Sequence, residues 1–274
     1  MGLLTDMYYN GLARVQEARE RVPEAALRAA VLALPPPPRL TLATHGFDVI
    51  AELKLRSPSL GDLSAHTLDP MRRLEAYAEG GAAVCSILTE PTRFDGDIEH
   101  LRRAAELLQP YGVPAMRKDF LVDPYQVLEA RANGASGVLL IARMVPRPQL
   151  VAMLDKAAEL DMFVLLEAFD ADDLALAAGL AAERQGRSEQ VLMGLNCRDL
   201  ETLQINPQRF VSLRSALPRQ WPAVAESGVI TQEDAARVAR LGYRLALVGT
   251  SLMQRRDAAQ ALRELLQAGR AALT

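Results

Sequence analysis

Short apolar runs rich in Val, Ile and Leu recur along this chain, separated by longer stretches whose apolar positions return every three or four residues. The short runs predict strands near 48–54, 83–88, 113–118, 137–142, 162–167, 191–196, 222–226 and 244–248. The longer pattern predicts helices near 70–79, 97–108, 124–132, 147–159, 171–183, 206–216, 232–241 and 257–270. Start signals support several helices: Asp69-Pro70, Asp123-Pro124, Asn206-Pro207 and Thr231-Gln232-Glu233 each set a side-chain oxygen before a good first-turn residue. Stop signals follow in Ala132-Asn133-Gly134 and Leu241-Gly242, where glycine accepts the left-handed turn that closes a helix. Eight strand-then-helix units predict an α/β fold, a (β/α)8 TIM barrel, over an open doubly wound sheet in which a strand or two would have to be miscounted. Residues 1–46 stand outside that count. They predict helices near 3–20 and 23–33 and a stop at Pro35–Pro38, an N-terminal helical cap on a single domain spanning 1–274.

The first strand carries a feature that packing alone does not explain. It ends in the stretch AELKLRSPS, Ala51–Ser59. Residues alternate across a strand, so Val49, Ala51, Leu53 and Leu55 share one face and Ile50, Glu52, Lys54 and Arg56 the other. An acid and a base on the second face make sense in a barrel, whose strands open at their C-terminal ends into the active site. The other strands deliver polar groups at the same end. They include Thr89-Glu90-Pro91-Thr92-Arg93-Phe94, Arg117-Lys118-Asp119-Phe120, Glu167, Asn196-Cys197-Arg198-Asp199, Glu226-Ser227-Gly228 and Gly249-Thr250-Ser251.

Two of these groups suit a phosphate. Ser227-Gly228 after strand seven and Gly249-Thr250 after strand eight fall where barrels cradle phosphate with backbone N–H groups, and Leu252-Met253-Gln254 suits a brief extra helix. Lys54 and Lys118 each end an apolar strand facing inward, where an unpaired ammonium is costly. A structural salt bridge with Glu52 or Glu167 is one reading. Acid–base chemistry is another, with Lys118 as general acid and Glu167 as general base. A Schiff-base nucleophile is a third. Arg198 reads as an anion binder and Arg117, on the opposite face from Lys118, as structural. Phe94 and Phe120 suit either the core or the wall of an aromatic pocket.

Composition narrows the partners. The chain has 274 residues, half of them hydrophobic, and 31 basic against 34 acidic residues leave a charge of −3 without a dense basic tract. No nucleic-acid partner is expected. No run approaches the roughly 18 apolar residues of a membrane span, and the amphipathic N-terminus shows no cleavable signal, so a cytoplasmic protein is expected. Cys85 and Cys197 lie apart at predicted strands and read as buried thiols. The three histidines form no ligating pattern, and no Gly-x-Gly-x-x-Gly or Walker sequence occurs, so neither metal nor organic cofactor is expected.

The run VIAELKLRSPSLGDL resembles the first-strand motif of the indole-3-glycerol-phosphate synthases. Further matches follow in order: AYAEGGAAVCSILTEPTRF, MRKDFLVDPYQVLEARANGASGVLLIA, LLEAFDADDL, GLNCRDL, VAESGV and LVGTSLM. The resemblance covers nearly the whole chain, including RVPEAALRA and the proline run. It implies a phosphate-binding barrel of tryptophan biosynthesis that closes the pyrrole ring of 1-(2-carboxyphenylamino)-1-deoxyribulose 5-phosphate, releasing carbon dioxide and water without a cofactor. It implies Lys118 as general acid and Glu167 as its acid/base partner. Lys54 then binds the anthranilate carboxylate or shares the proton transfer, with Glu52 tuning it. Asn196 and Glu226 hold substrate hydroxyls and neighbouring groups, and Arg198 positions Asn196 or screens the anions. Ser57, Ser227, Gly228, Gly249 and Thr250 take the phosphate, and Phe94 and Phe120 line the aromatic pocket. The expected partner is therefore a small phosphorylated molecule, and a monomer or weak homo-oligomer is expected.

Departures from the family pattern are few. Leu55, Cys197 and Asp97 replace its usual polar residues, Asp97 with an expected effect on the second loop. A longer segment near Ala181–Gln190 enters the N-terminal end of strand six, away from catalysis. Another phosphate-binding barrel enzyme, an isomerase or a Schiff-base aldolase, is the nearest competing class. A non-catalytic subunit or a paralogue acting on a related anthranilate adduct is the next.

Overall fold

The computed structural model describes residues 2–44, 46–57, 61–62, 69–184 and 190–273, the side chains of Ser57 and Asp62 excepted. Eight parallel strands close a barrel: β1 (Asp48–Leu53), β2 (Val84–Leu88), β3 (Ala115–Lys118), β4 (Gly137–Ile141), β5 (Phe163–Ala168), β6 (Val191–Asn196), β7 (Ala223–Glu226) and β8 (Leu245–Val248). Each strand pairs with its sequence neighbours, and β1 closes the ring against β8 through Asp48↔Leu245 and Ala51↔Val248. Every strand residue except Lys118 is buried. That is why the strands read as continuous apolar runs rather than alternating ones.

The caps work as the sequence predicts. Asp69, Asp97 and Asp123 each accept a hydrogen bond from the backbone two residues on, opening helices Pro70–Glu79, Ile98–Leu108 and Pro124–Ala132. Thr231 and Asp234 form a reciprocal capping box on Gln232–Arg240. The pattern over 206–216 resolves differently: a short helix, Gln208–Ser212, gives way at Leu213 to a single 3-10 turn, Arg214–Ala216. Leu217, which precedes Pro218, is extended and ends that turn. A four-residue helix at Pro91–Phe94 escaped the pattern. Glu90 makes it, accepting from the backbone N–H of Thr92 and Arg93.

Two further helices, α1 (Leu3–Arg21) and α2 (Glu24–Leu32), form the N-terminal segment. Gly11 lets α1 approach the chain after β3: a Cβ there would meet Val122 at 3.0 Å and the Phe120 carbonyl at 3.2 Å. Tyr125 donates its hydroxyl to the carbonyls of Ala18 and Val22 at the end of α1. Arg14 donates two hydrogen bonds, at 2.9 and 2.8 Å, to the Asp119 carboxylate, whose side chain is fully buried. Asp119 also accepts from Thr89, Arg117 and the Phe120 backbone N–H. One carboxylate thus joins α1, the end of β2 and the end of β3. Arg117 turns away from the barrel interior, as expected, and reaches Glu129 at 2.8 Å.

Burial alone would raise the Asp119 carboxyl, but the arginines and Thr89 outweigh it and hold it at about 2 against an ordinary 3.8. A carboxylate depressed in the folded state adds stability above its unfolded value and loses it as the pH falls through its folded value. The difference corresponds to about 2 kcal/mol. Asp119→Asn is therefore expected to lower urea-unfolding stability by about 2 kcal/mol at pH 7. It should also flatten the loss that the unaltered protein shows between about pH 5 and 2. Parallel stability curves for the two proteins would show that Asp119 does not carry this load.

Candidate active site

The C-terminal ends of the strands surround one cavity of about 550 Å3. On β1, Glu52 is buried, and Lys54, just past the strand, donates to it at 2.8 Å. Across the barrel, the Lys118 ammonium at the end of β3 lies 3.8 Å from Glu167 of β5 and 3.8 Å from Glu226 of β7. Asn196 of β6 donates its amide N–H to Glu167 at 2.7 Å, while its carbonyl oxygen accepts the Arg198 backbone N–H at 2.9 Å. Those two bonds fix which way the amide points. Arg209 holds the Asn196 main-chain carbonyl at 3.0 Å, and Arg198 reaches back to the Leu203 carbonyl at 3.0 Å.

Beside them, Ser227 and Gly228 follow β7 with φ of 64° and 70°. Two successive left-handed residues are unusual, and the second is open only to glycine: a Cβ on Gly228 would also lie 2.9 Å from the Cys197 sulfur. After β8, Gly249 caps a short helix, Thr250–Met253, which starts earlier than the expected Leu252–Gln254. Both turns line the cavity. Phe94 and Phe120 face each other with ring centroids 6.2 Å apart, and each both lines the cavity and packs on the core.

Three buried carboxylates share this space with two lysines. Burial would raise Glu52, but Lys54 and Lys118 together with Arg198 lower it below the ordinary range. Burial would lower Lys118, yet Glu167, Glu226 and Glu52 outweigh it, so its ammonium holds its proton more firmly than an ordinary lysine. Glu226 goes the other way. Burial and the neighbouring Glu167 raise it well above the usual carboxylate range, against the lowering effect of Lys118. Among the described residues no three His, Cys, Asp or Glu side chains converge as a metal-holding group. No helix there is long and apolar enough to cross a membrane.

The structure gathers Glu52, Lys54, Phe94, Lys118, Phe120, Glu167, Asn196, Arg198, Glu226, Ser227, Gly228, Gly249 and Thr250 around the one cavity. The Ser57 side chain lies outside the described residues, so its placement at the phosphate is not among these observations. Sequence reasoning missed the apolar wall: Leu139 and Ile141 of β4, Phe169 after β5, and Leu203 and Ile205. Leu139 and Ile141 were readable from strand alternation. Leu203 was not, because it enters through a left-handed backbone, φ 61°, in a small turn closed by the Arg198↔Ile205 bridge.

A family model described as indole-3-glycerol phosphate synthase matches residues 4–265. The chain is 39% identical over 267 residues to the indole-3-glycerol phosphate synthase of a Nocardioides species, covering 97% of this chain and 98% of that protein. It is 37% identical to that of Mycobacterium ulcerans, covering 89% and 86%. The chain belongs to the indole-3-glycerol phosphate synthase family. Solved barrels show the same fold at much lower identity. A 3-hexulose-6-phosphate synthase from Salmonella typhimurium aligns with a TM-score of 0.61 at 13% identity, covering 81% of this chain and 98% of that one. A thiamine phosphate pyrophosphorylase from Pyrococcus furiosus gives 0.58 at 16%, covering 84% and 98%.

The departures from the family pattern fall beside the cavity rather than in it. Asp97 caps the next helix through the Glu99 N–H at 2.8 Å. Within the Ala181–Gln190 segment, residues 185–189 lie outside the described residues. Gln190 bonds the Leu40 carbonyl at 2.8 Å, next to the N-terminal start of β6. Cys197 is buried against Gly228, and burial pushes its thiol up to about 11. Cys85 is buried too. Native protein at pH 8 is expected to take no iodoacetamide, and denatured protein two equivalents by intact mass, one for each cysteine. A label gained without denaturant would contradict this burial.

Proposed function

We propose that the chain converts 1-(2-carboxyphenylamino)-1-deoxyribulose 5-phosphate to indole-3-glycerol phosphate, carbon dioxide and water. Family membership supplies the reaction. The observation that carries it in this chain is Lys118, enclosed by Glu167 and Glu226 at 3.8 Å opposite the Lys54–Glu52 pair.

The substrate carries an anion at each end. Its phosphate binds the backbone N–H groups at Ser227-Gly228 and Gly249-Thr250, with the Ser57 and Thr250 hydroxyls as added donors. Its anthranilate ring lies against Phe94 and Phe120, and its carboxylate meets Lys54, which Glu52 holds. Lys118 then protonates the ribulose carbonyl oxygen as the ring carbon attacks, so the new C–C bond forms without a free alkoxide. Loss of carbon dioxide returns its bonding pair to the ring. The hydroxyl then departs as water with a proton from the Lys54 ammonium, freed by loss of the carboxylate, while Glu167, oriented by Asn196, takes the proton from the substrate that completes the pyrrole. Arg198 and Glu226 hold the substrate hydroxyls and the neighbouring groups in register.

A Schiff-base route fits less well. An imine-forming lysine must lose its proton, and the carboxylates around Lys118 oppose that. We take the chain as one domain that includes residues 1–46 and acts on a small phosphorylated molecule. In this reading it needs no cofactor and no nucleic-acid partner, works as a monomer or weak homo-oligomer, and resides in the reducing cytoplasm, to which two unpaired buried cysteines are suited.

The test is direct. With the carboxyphenylamino ribulose phosphate, the protein should produce indole fluorescence. Lys118→Met and Glu167→Gln should each lower the rate by at least about a hundredfold, with circular dichroism unchanged. Substantial turnover by either variant would overturn the assignment of roles. Borohydride added during turnover should leave the mass of the protein unchanged, and a reduced adduct at Lys118 or Lys54 would favour the imine route.

A further inference from the structure

Gly194 lies inside β6, flanked by Met193 and Leu195. A glycine there forfeits side-chain packing and loses more chain entropy on folding than any other residue. What it provides is space. Gly194 shares the inward face of β6 with Asn196, and β7 runs alongside with Gly194↔Val224 and Asn196↔Glu226 in register. A Cβ at position 194 would lie 1.9 Å from Glu226 Oε1 and 3.1 Å from its Cδ. The Glu226 carboxylate therefore occupies the volume that any other residue at 194 would fill. The first strand shows the same device: a Cβ on Gly249 would lie 2.3 Å from Glu52 Oε1. Gly249 also adjoins the phosphate turn, so the clean case is Gly194.

We propose that Gly194 is a positioning residue, a notch in β6 that seats the Glu226 carboxylate beside Lys118 and Glu167. The inference rests on the proposed reaction and deepens it. Lys118 at 3.8 Å attracts the Glu226 carboxylate and Glu167 lies against it, but that attraction can act only if the carboxylate has room to sit there. The notch is that room. The atom a Cβ would strike is the free end of a flexible side chain, so the barrel can tolerate alanine while the carboxylate swings away from Lys118. Leu165, with Cδ1 at 3.1 Å, has only a small adjustment to make.

A double-mutant cycle separates positioning from mere packing. Gly194→Ala should lower kcat by about tenfold to a hundredfold, with KM moving far less and cooperative melting retained. Glu226→Asp, shorter by one methylene, should lower activity alone yet fit beside the new methyl. The double variant should then exceed the product of the two single losses by at least about tenfold in kcat/KM. In Glu226→Gln the carboxylate is already lost, so adding Gly194→Ala should cost little more activity. Losses that simply multiply in both cycles would overturn the notch.

A second readout needs no turnover. By carbon-13 NMR the Glu226 carboxyl, which faces Lys118, Glu167 and Glu52, should titrate well above 4.5 in the unaltered protein. It should shift in Gly194→Ala, as the distances of the carboxyl from Lys118 and Glu167 change. An unmoved titration would count against the proposal. Absence of indole formation by the unaltered protein would instead count against the reaction, leaving the notch to be judged by NMR.

Discussion

An ammonium group enclosed by buried carboxylates sets the terms for the rest of this molecule. Lys118 stands 3.8 Å from both Glu167 and Glu226, in a space that is mostly apolar wall. A lone lysine there would shed its proton, and a lone carboxylate would take one up. Together they hold a proton donor and an acceptor in reach of one substrate, and the donor stays charged because its neighbours require it. Breaking such a buried set by removing one partner costs far more than the set contributes as a whole. The surrounding structure accordingly fixes every member: Asn196 holds Glu167, Arg198 and Arg209 hold Asn196, and the space at Gly194 receives Glu226.

The fold supplies that arrangement by bringing distant residues to one rim. Glu52, Lys118, Glu167 and Glu226 are spread across most of the chain, yet each ends or nearly ends a parallel strand, so barrel closure alone collects them. The N-terminal segment is tied to the same rim. Arg14 grips Asp119, whose neighbours in sequence are Lys118 and Phe120, so α1 braces the strand end that presents both. The apolar residues beneath the rim surround the charges with a low-dielectric wall, strengthening each electrostatic contact.

Much of this was legible in the sequence because the signals are local. Strand ends fell within one or two residues of their predicted places, since each apolar run is bounded by its own caps and turns. The inward direction of Glu52, Lys54 and Lys118 followed from alternation, and the two cavity-lining turns from glycine and hydroxyl placed after strands seven and eight. What stayed hidden depends on distances between strands. That Lys118 lies as near to Glu226 as to Glu167, or that Gly194 clears room for a side chain on the next strand, cannot be read from either segment alone. Leu203 escaped because its left-handed backbone reverses the facing that periodicity assigns. The segment expected as one helix over 206–216 instead breaks at Leu213 into a short helix and a 3-10 turn.

The account stands on the charge of Lys118, and that charge can be observed. Nitrogen-15 NMR of the lysine ammonium groups, assigned with Lys118→Met, follows each through alkaline titration. An ordinary lysine is half-titrated at 10.5, and Lys118 is expected to remain protonated there, held by Glu167, Glu226 and Glu52 against the opposing effect of burial. Half-titration of Lys118 at or below 10.5 would contradict the account, because burial would then have outweighed the carboxylates.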